Sequence, residues 1–452
     1  MGARQLACVV LAAGKGTRMM SDLPKVLHRI AHRPMVNHVL AAVEPLRPDR
    51  LVVVVGPNME SVAAAVAPAR TAVQTQQRGT ADALKAAQAE LNGFAGDVLV
   101  LFGDTPLLTT ETLSRMVEAR RGPDDPAVVV AGMRPIDPGH YGRLILAPDG
   151  SLARIVEHAD ADADERSVGL CNGGIMAFDG ARMWSLLDRV GNDNAKGEYY
   201  LTDVVGIARA DGHRCAVVEA DEEEVLGINS RAELAGAEKL MQRRLRLAHM
   251  AAGATLVDPD TVHFAYDTRL GRDVVVGPNV VFAPGVEVGD RVEIRPFCHF
   301  EGVRIAEGAE VGPFARLRPG TEVGPGVHIG NFVELKNTQV GPGAKINHLS
   351  YMGDATIGAR ANVGAGAITC NYDGFMKYRT EIGAGAFVGT NSSLVAPVRL
   401  ADGAYVGAGS VVVRDVAADA LAVARGQQVE KPGWARAFRE RKAAEKAGKA
   451  NK

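Results

Sequence analysis

Two parts of the chain carry residue types at spacings suited to phosphate chemistry. In "LAAGKGTRMMSDLPKV", residues 11 to 26, Gly14 and Gly16 bracket Lys15, and Arg18 and Lys25 follow. A Walker loop needs four residues between its first glycine and its Gly-Lys-Ser/Thr, and the dinucleotide fingerprint needs a third glycine where Met19 stands. The loop is therefore read as an anion holder of neither kind, in which glycine permits close backbone approach and the cations offset ligand charge. Much further on, Arg318 and Lys336 stand 18 residues apart, with Glu334, His348 and Tyr351 close by in sequence. A histidine, a carboxylate and a tyrosine gathered at one corner can supply a general base, its orienting partner and a hydroxyl.

The elements needed to position these groups differ on the two sides of residue 250. Before it, apolar runs such as "LVVVVG" (51 to 56), "DVLVLFGD" (97 to 104) and "AVVVAGM" (127 to 133) alternate with helical stretches such as "TADALKAAQAEL". That alternation predicts a parallel sheet with crossover helices. "RAELAGAEKLMQRRLRLAHMAA", from Arg231 to about Ala252, is rich in helix formers without proline and predicts one connecting helix.

After the helix the sequence repeats every six residues. Val276, Phe282, Val288, Ile294 and Phe300 lead successive hexads. A five-residue step resets the series to Ile305, Val311, Leu317, Val323, Ile329 and Leu335, and two more carry it through Val340, Ile346, Met352, Ile357, Val363 and Thr369. It resumes at Ile382, Val388, Leu394, Leu400 and Val406, beyond "TCNYDGFMKYRTE", which reads as an extruded loop. So short a repeat predicts a parallel β-helix, each hexad giving a short strand and a turn. With three hexads per coil, Arg318 stacks on Lys336 at roughly 4.8 Å. Like charges that close are costly without an anion, so a phosphate or carboxylate ligand is expected between them. The same count puts His348 over Ala365 and Glu334 under Tyr351, and Glu334 is expected to orient His348.

Composition limits the function classes. The 452 residues with 47% hydrophobic content can bury more than one core. A net charge of -2 gives no overall pull toward nucleic acid or an anionic membrane. No apolar run is long enough to span a bilayer, and the first one runs straight into the glycine loop rather than a cleavage site. The chain reads as soluble. Cys8, Cys171, Cys215, Cys298 and Cys370 show no C-x-x-C spacing, so neither zinc nor a disulfide framework is signalled and a cytoplasmic location is expected.

Taken in order, "LAAGKGTRM", "DLPKVLH", "FGDTPLL", "YGR", "IVEH", "KGEYYLTDVV", "GIN", "GPFARLRPG", "GNFVELKN", "HLSYMGD", "NVGAGAITCNYDG" and "VAPV" resemble the bacterial family of bifunctional N-acetylglucosamine-1-phosphate uridyltransferase/glucosamine-1-phosphate acetyltransferases, from the first strand to about Arg425. The resemblance implies an α/β chain in three parts: a Rossmann-like nucleotidyltransferase domain (1–231), a linker helix (232–252) and a left-handed parallel β-helix acetyltransferase domain with a basic tail (253–452). The left hand comes from the family, since right-handed crossovers are the general rule.

By that resemblance Leu11, Ala12, Ala13 and Gly14 contact UTP through their backbone. Lys15 and Arg18 suit the departing pyrophosphate and Lys25 a phosphate near the reacting centre. Gln74, Gly79 and Thr80 match the uracil positions, and Phe102, Gly103 and Asp104 belong to the same site. Gly142, Glu157 and Asn172 match the sugar positions, while Asp104 and Asn229 match ligands of Mg2+. In the second domain Arg318, Lys336, Tyr351 and Asn362 match contacts to glucosamine 1-phosphate, and His348 matches the base. Ala365, Asn371, Tyr372, Thr390, Ala408 and Arg425 match the acetyl-CoA side, with Asn371 and Tyr372 also bordering the sugar; Thr390 replaces a serine common in relatives.

The implied reactions are acetylation of glucosamine 1-phosphate, then transfer of UMP from UTP to N-acetylglucosamine 1-phosphate with release of pyrophosphate, in a cytoplasmic homotrimer. The product, UDP-N-acetylglucosamine, is a precursor of peptidoglycan and lipopolysaccharide. Two readings compete: a monofunctional nucleotidyltransferase with a structural β-helix, and a repeat domain that displays a partner surface. The tail "WARAFRERKAAEKAGKANK" reads as a solvated, partly disordered end rather than a nucleic-acid site.

Overall fold

The computed structural model describes residues 4–450. It divides into two compact units, the first running to His249 and including His263–Asp267, the second comprising Met250–Val262 and the chain from Thr268 on.

The sheet of the first unit contains nine strands: β1 (Leu6–Leu11), β2 (Arg50–Val55), β3 (Arg70–Val73), β4 (Asp97–Phe102), β5 (Val128–Met133), β6 (Arg143–Leu146), β7 (Leu152–Val156), β8 (Cys171–Asp179) and β9 (Cys215–Glu219). Every residue of β1 is buried because helices cover both faces of the sheet, which is why the strand reads as an unbroken apolar run. Its side chains alternate between two cores. Ala7, Val9 and Leu11 face one, while Leu6, Cys8 and Val10 face the other. Burial pushes the Cys8 thiol far above its ordinary value, so it is no nucleophile.

Strand β1 pairs in parallel with β2 and β4, and β2 with β3. The sheet is nevertheless mixed rather than wholly parallel. Strand β8 lies antiparallel between β4 and β5, and it follows the β6–β7 hairpin instead of a crossover helix, so nothing forces it into the parallel sense. A register shift between Asn172 and Met176 interrupts its ladder with β5. The long helix Arg231–Ala251 buries Ala237 against Ile30, Met35, Leu107 and Ile228.

The second unit is a stack of short parallel strands in three sheets. One face runs through Glu293–Ile294, Glu310–Val311, His328–Asn331, Lys345–His348 and Asn362–Val363; the next through His299–Phe300, Arg316–Arg318, Glu334–Lys336, Tyr351–Gly353 and Ile368–Cys370; the third through Val303–Ile305, Thr321–Val323, Gln339–Val340 and Ala355–Ile357. This is the expected hexapeptide β-helix. All the hexad leaders from Val276 to Val406 are buried. The five-residue steps do not break the phase, since Phe300 still pairs with Leu317 and Leu335 with Met352. The loop at 371–379 leaves the coil between Ile368–Cys370 and Thr380–Ile382. The tail, expected to be partly disordered, instead forms a helix, Trp434–Ala450. Among the described residues no helix is long and apolar enough to cross a membrane.

Phe282 and Phe300 stack inside the coil with ring centroids 5.5 Å apart, both fully buried. Phe282→Ala is expected to destabilise the β-helix by about 3–5 kcal/mol. The check is the denaturant midpoint of its unfolding transition, and an unchanged midpoint would contradict this packing.

Candidate active sites

Strands β1 and β4 end side by side, with Leu11 opposite Phe102. The loops beyond their carboxyl ends therefore meet, as expected at such a sheet edge. A cavity of about 260 Å³ there is lined by Leu11, Ala12, Ala13, Gly14, Lys25, Gln74, Gln77, Gly79, Thr80, Phe102, Asp104 and Glu198, among others. It brings together ten of the residues singled out in sequence. Gly103 lies beneath it, where a Cβ would come within 3.2 Å of Ala12 and Val26. Lys15 lines an adjoining cavity of about 570 Å³ with Asn58, Met59, Thr75 and Gln77. Arg18 is exposed on the turn Thr17–Met19 and lines neither cavity.

The Lys25 ammonium is in close contact with the Asp104 carboxylate and donates to Asn229 Oδ1 at 3.0 Å. A cation thus already sits between the two oxygens that resembled metal ligands. Among the described residues no group of three or more His, Cys, Asp and Glu is placed to hold a metal ion. Two oxygen donors converging on a positive charge fit a magnesium ion that keeps water and takes phosphate oxygens for the rest of its shell.

Gly142, Glu157 and Asn172 also come together. The amide of Asn172 donates to the carbonyl of Gly142 at 2.8 Å, and a Cβ on Gly142 would lie 3.4 Å from Glu157 Oε2. "KGEYYLTD" links this cluster to the cavity. Thr202 Oγ1 donates to Glu157 at 3.2 Å, the amide of Leu201 donates to Thr80 Oγ1 at 2.9 Å, and Gly79, at φ 129°, packs on the Tyr199 backbone. Gln77, missed in the sequence reading, donates to the carbonyl of Ala13 and holds the glycine loop.

In the second unit Arg318 and Lys336 are register partners, as the column count required. The structure shows how their repulsion is relieved. Arg318 donates to Glu334 at 2.9 Å, and the Lys336 ammonium lies 3.8 Å from Asp354. Lys377 is a third cation that sequence reasoning missed, although it stands in the extruded loop already marked as a binding segment. Contact with Lys377, together with burial, holds the Lys336 ammonium below the ordinary lysine value. Tyr351 and Asn371 meet over Gly353, where a Cβ would strike the tyrosine hydroxyl and the asparagine amide. Tyr372 is exposed and its hydroxyl donates to the carbonyl of Gly374 at 2.6 Å, within the loop.

One expectation is corrected here. The partner of His348 is Asn331, whose Oδ1 lies 2.6 Å from Nδ1, and not Glu334, which is engaged with Arg318. Asn331 is the residue in register one coil from His348 on the same strand face, whereas Glu334 belongs to the next face. Asn362 lies elsewhere along that face, in register with Lys345 and Phe387. Ala365, Thr390, Ala408 and Arg425 follow one another along the coils: the carbonyl of Thr390 accepts from Gly409, that of Ala365 from Asn391, and that of Ala408 from Arg425 Nη1 at 2.6 Å.

Residues 8–169 match the MobA-like NTP transferase domain family. Residues 267–302 and 302–337 match the bacterial transferase hexapeptide repeat, and 379–414 the hexapeptide repeat of succinyl-transferase. Over 449 residues, 99% of this chain and all of the relative, the sequence is 61% identical to the bifunctional protein GlmU of Paramagnetospirillum magneticum. It is 61% identical to that of Rhodospirillum rubrum, covering 96% of this chain and 97% of the relative. With that of Zymomonas mobilis the identity is 48%, over 97% and 98%.

The chain belongs to the bifunctional GlmU family. Both units of this GlmU-family chain thus fall in transferase families, and each carries one of the two constellations described above.

Glu157 shows the electrostatic character of the first site. Burial holds its carboxyl above the ordinary value, opposed by the Thr202 hydrogen bond. A raised carboxyl pKa favours the protonated folded form, so ionisation costs stability as pH rises through the ordinary carboxylate range. Glu157→Gln is therefore expected to raise the unfolding temperature near neutral pH, on the order of 2 °C, with the gain vanishing below about pH 4. Melting curves at both pH values check this; an equal gain at both would assign it to something other than charge.

Proposed function

We propose that the chain makes UDP-N-acetylglucosamine in two steps at its two sites. The second unit acetylates glucosamine 1-phosphate from acetyl-CoA, and the first transfers UMP from UTP to the resulting N-acetylglucosamine 1-phosphate, releasing pyrophosphate. The observation that carries this reading is the presence of both constellations on one chain that matches bifunctional relatives over nearly its full length. A purely structural β-helix is not favoured, because it has no use for His348 held by Asn331, nor for Lys336 in contact with Lys377 and in register with Arg318.

In the first unit the sugar phosphate attacks the α-phosphorus in line with departing pyrophosphate, and positioning with charge neutralisation carries the step. Backbone groups of Leu11 to Gly14 hold the nucleotide, and Gln74, Gly79 and Thr80 border its base. Gly142, Glu157 and Asn172 hold the sugar. Lys15 and Arg18 serve the pyrophosphate. Asp104 and Asn229 would hold Mg2+, which supplies charge neutralisation at the phosphates. Lys25, now between those two oxygens, is then free to turn to phosphate.

In the second unit Arg318 and Lys336 take the sugar phosphate, with Tyr351 and Asn362 at the sugar. Asn331 fixes Nδ1 of His348, so Nε2 is the atom that removes the proton from the sugar amine as it attacks the thioester. Asn371 and Tyr372 border the junction, and Ala365, Thr390, Ala408 and Arg425 line the acetyl-CoA side. A cytoplasmic location fits these small-molecule substrates.

We further assign the β-helix to a homotrimer. Phe297, Phe314, Phe332 and Leu349 form a column of exposed apolar residues at φ between 52° and 63°, their rings stacked at 4.9 and 5.0 Å. Bulky residues seldom take positive φ, and an exposed aromatic ladder is what a subunit contact covers. Phe314→Asp is expected to convert a trimer into a monomer in sedimentation; a wild type that already sediments as a monomer would remove the assignment.

The activity test follows coenzyme A release and UTP-dependent pyrophosphate release on the same preparations. His348→Ala is expected to lower the first by about 10²–10⁴-fold and leave the second unchanged. A wild type that never acetylates the amino sugar would leave only the nucleotidyltransferase.

A further inference from the structure

Residues 337, 354 and 371 stand one coil apart in a single column, and read Asn, Asp, Asn. The middle residue is a buried carboxylate whose charged neighbours are Lys336 and Lys377. Asn337 Nδ2 donates to Asp354 Oδ1 at 2.7 Å, and Asn371 Nδ2 donates to Oδ2 at 2.5 Å. Lys336 Nζ lies 3.8 Å from Oδ2. Asp354 itself is only 9% exposed and Asn371 7%.

Its backbone is equally fixed. The amide of Asp354 donates to the carbonyl of Lys336 at 2.9 Å, and its own carbonyl accepts from Thr380, where the extruded loop returns to the coil. The carbonyl of Asn371 accepts from Tyr378 across the neck of that loop, which carries Tyr372 and Lys377. Asp354 is left-handed at φ 49°, a conformation that aspartate tolerates better than most residues. The Asn337 and Asn371 bonds, followed by the charges of Lys336 and Lys377, hold its carboxyl below the ordinary range against the opposing effect of burial.

We propose that Asp354 is the positioning residue of the acetyl-transfer site. Its two carboxylate oxygens fix Asn371 at the mouth of the loop and draw Lys336 to the place where the sugar phosphate binds. The inference rests on the acetyl-transfer reading given above. It assigns Asp354 no contact with substrate; it acts through Asn371 and Lys336. A carboxylate is required rather than an amide, because one group must accept from two asparagine amides and also face an ammonium, and an asparagine offers a single acceptor oxygen.

Asp354→Asn keeps the size of the side chain and tests this directly in the full-length protein. The expected result is a KM for glucosamine 1-phosphate raised about tenfold, with the KM for acetyl-CoA changed less than about twofold and pyrophosphate release from UTP unaffected. In an Asn371→Ala background the same change should raise the sugar-phosphate KM by less than about threefold, because one of its two routes of action is already lost. Asn371→Ala alone supplies a second variant with the buried carboxylate intact, expected to raise the same KM. Full additivity, or KM values for both substrates rising together, would reduce Asp354 to a residue that merely holds the coil. A sugar-phosphate KM that falls in Asp354→Asn would make it only a competitor of the phosphate for the cations, and would equally overturn the proposal. A wild type that does not acetylate would sink the acetyl-transfer reading itself, a result distinguishable from an active wild type with an indifferent Asp354→Asn.

Discussion

Parallel, in-register backbone pairing is the constraint on which the second unit depends. Each residue of the coil must lie beside the residue one coil away, at the spacing of neighbouring strands, whatever the chemistry of the two. Apolar hexad leaders profit from this, since leader stacks on leader and the interior fills from Val276 to Val406. Some polar residues inside the coil find partners within the same stack, whereas Thr321 Oγ1 and Thr380 Oγ1 are buried without one among the described residues. Thr338 Oγ1 is satisfied by the carbonyls of Lys336 and Met352, and Thr369 Oγ1 by Gly353. Charged residues face the harshest version of the rule, and the cations at 318 and 336 are tolerable only because Glu334 and Asp354 stand beside them.

The first unit obeys a related constraint at the edge of its sheet. Parallel strands that start and stop together deliver their following loops to one place, and so the glycine loop after β1 meets Asp104 after β4. The cavity there solves its charge problem as the coil does. A carboxylate holds three of the cations: Lys25 with Asp104, Arg318 with Glu334, Lys336 with Asp354. These contacts restrict long side chains, which lowers the ordering entropy that any anion binding there would have to supply. The Arg318–Glu334 pair, about a third exposed on both sides, costs little to exchange.

Left-handed turns recur around the coil, at Arg291, Asn337, Asp354 and Arg360 among others, but at one corner bulky apolar residues make them. Phe297, Phe314, Phe332 and Leu349 all adopt positive φ there, and His348 immediately precedes the last of them. A turn that a glycine would make without penalty is instead made by bulky apolar residues, so their side chains are retained for what they cover. The same corner carries Asn331, adjacent to Phe332, against His348. Packing and chemistry therefore share a turn, and the rigidity of the stacked rings also steadies the histidine.

The sequence by itself determined the periodic half almost completely, because a hexad phase kept through 22 buried leaders fixes both the architecture and which residues share a column. It also determined most of the cavity at the sheet edge, since the loop residues and the strand-end aspartate are local signals. Three features were decided only by the tertiary structure. The antiparallel sense of β8 depends on the hairpin that precedes it, which apolar runs do not encode. Lys377 meets Lys336 from an extruded loop whose return path has no period to count. The partner of His348 was misassigned to Glu334, around the corner, although the residue in register one coil away on its own face is Asn331; the side-chain directions that send Glu334 to Arg318 and Asn331 to His348 are a tertiary feature.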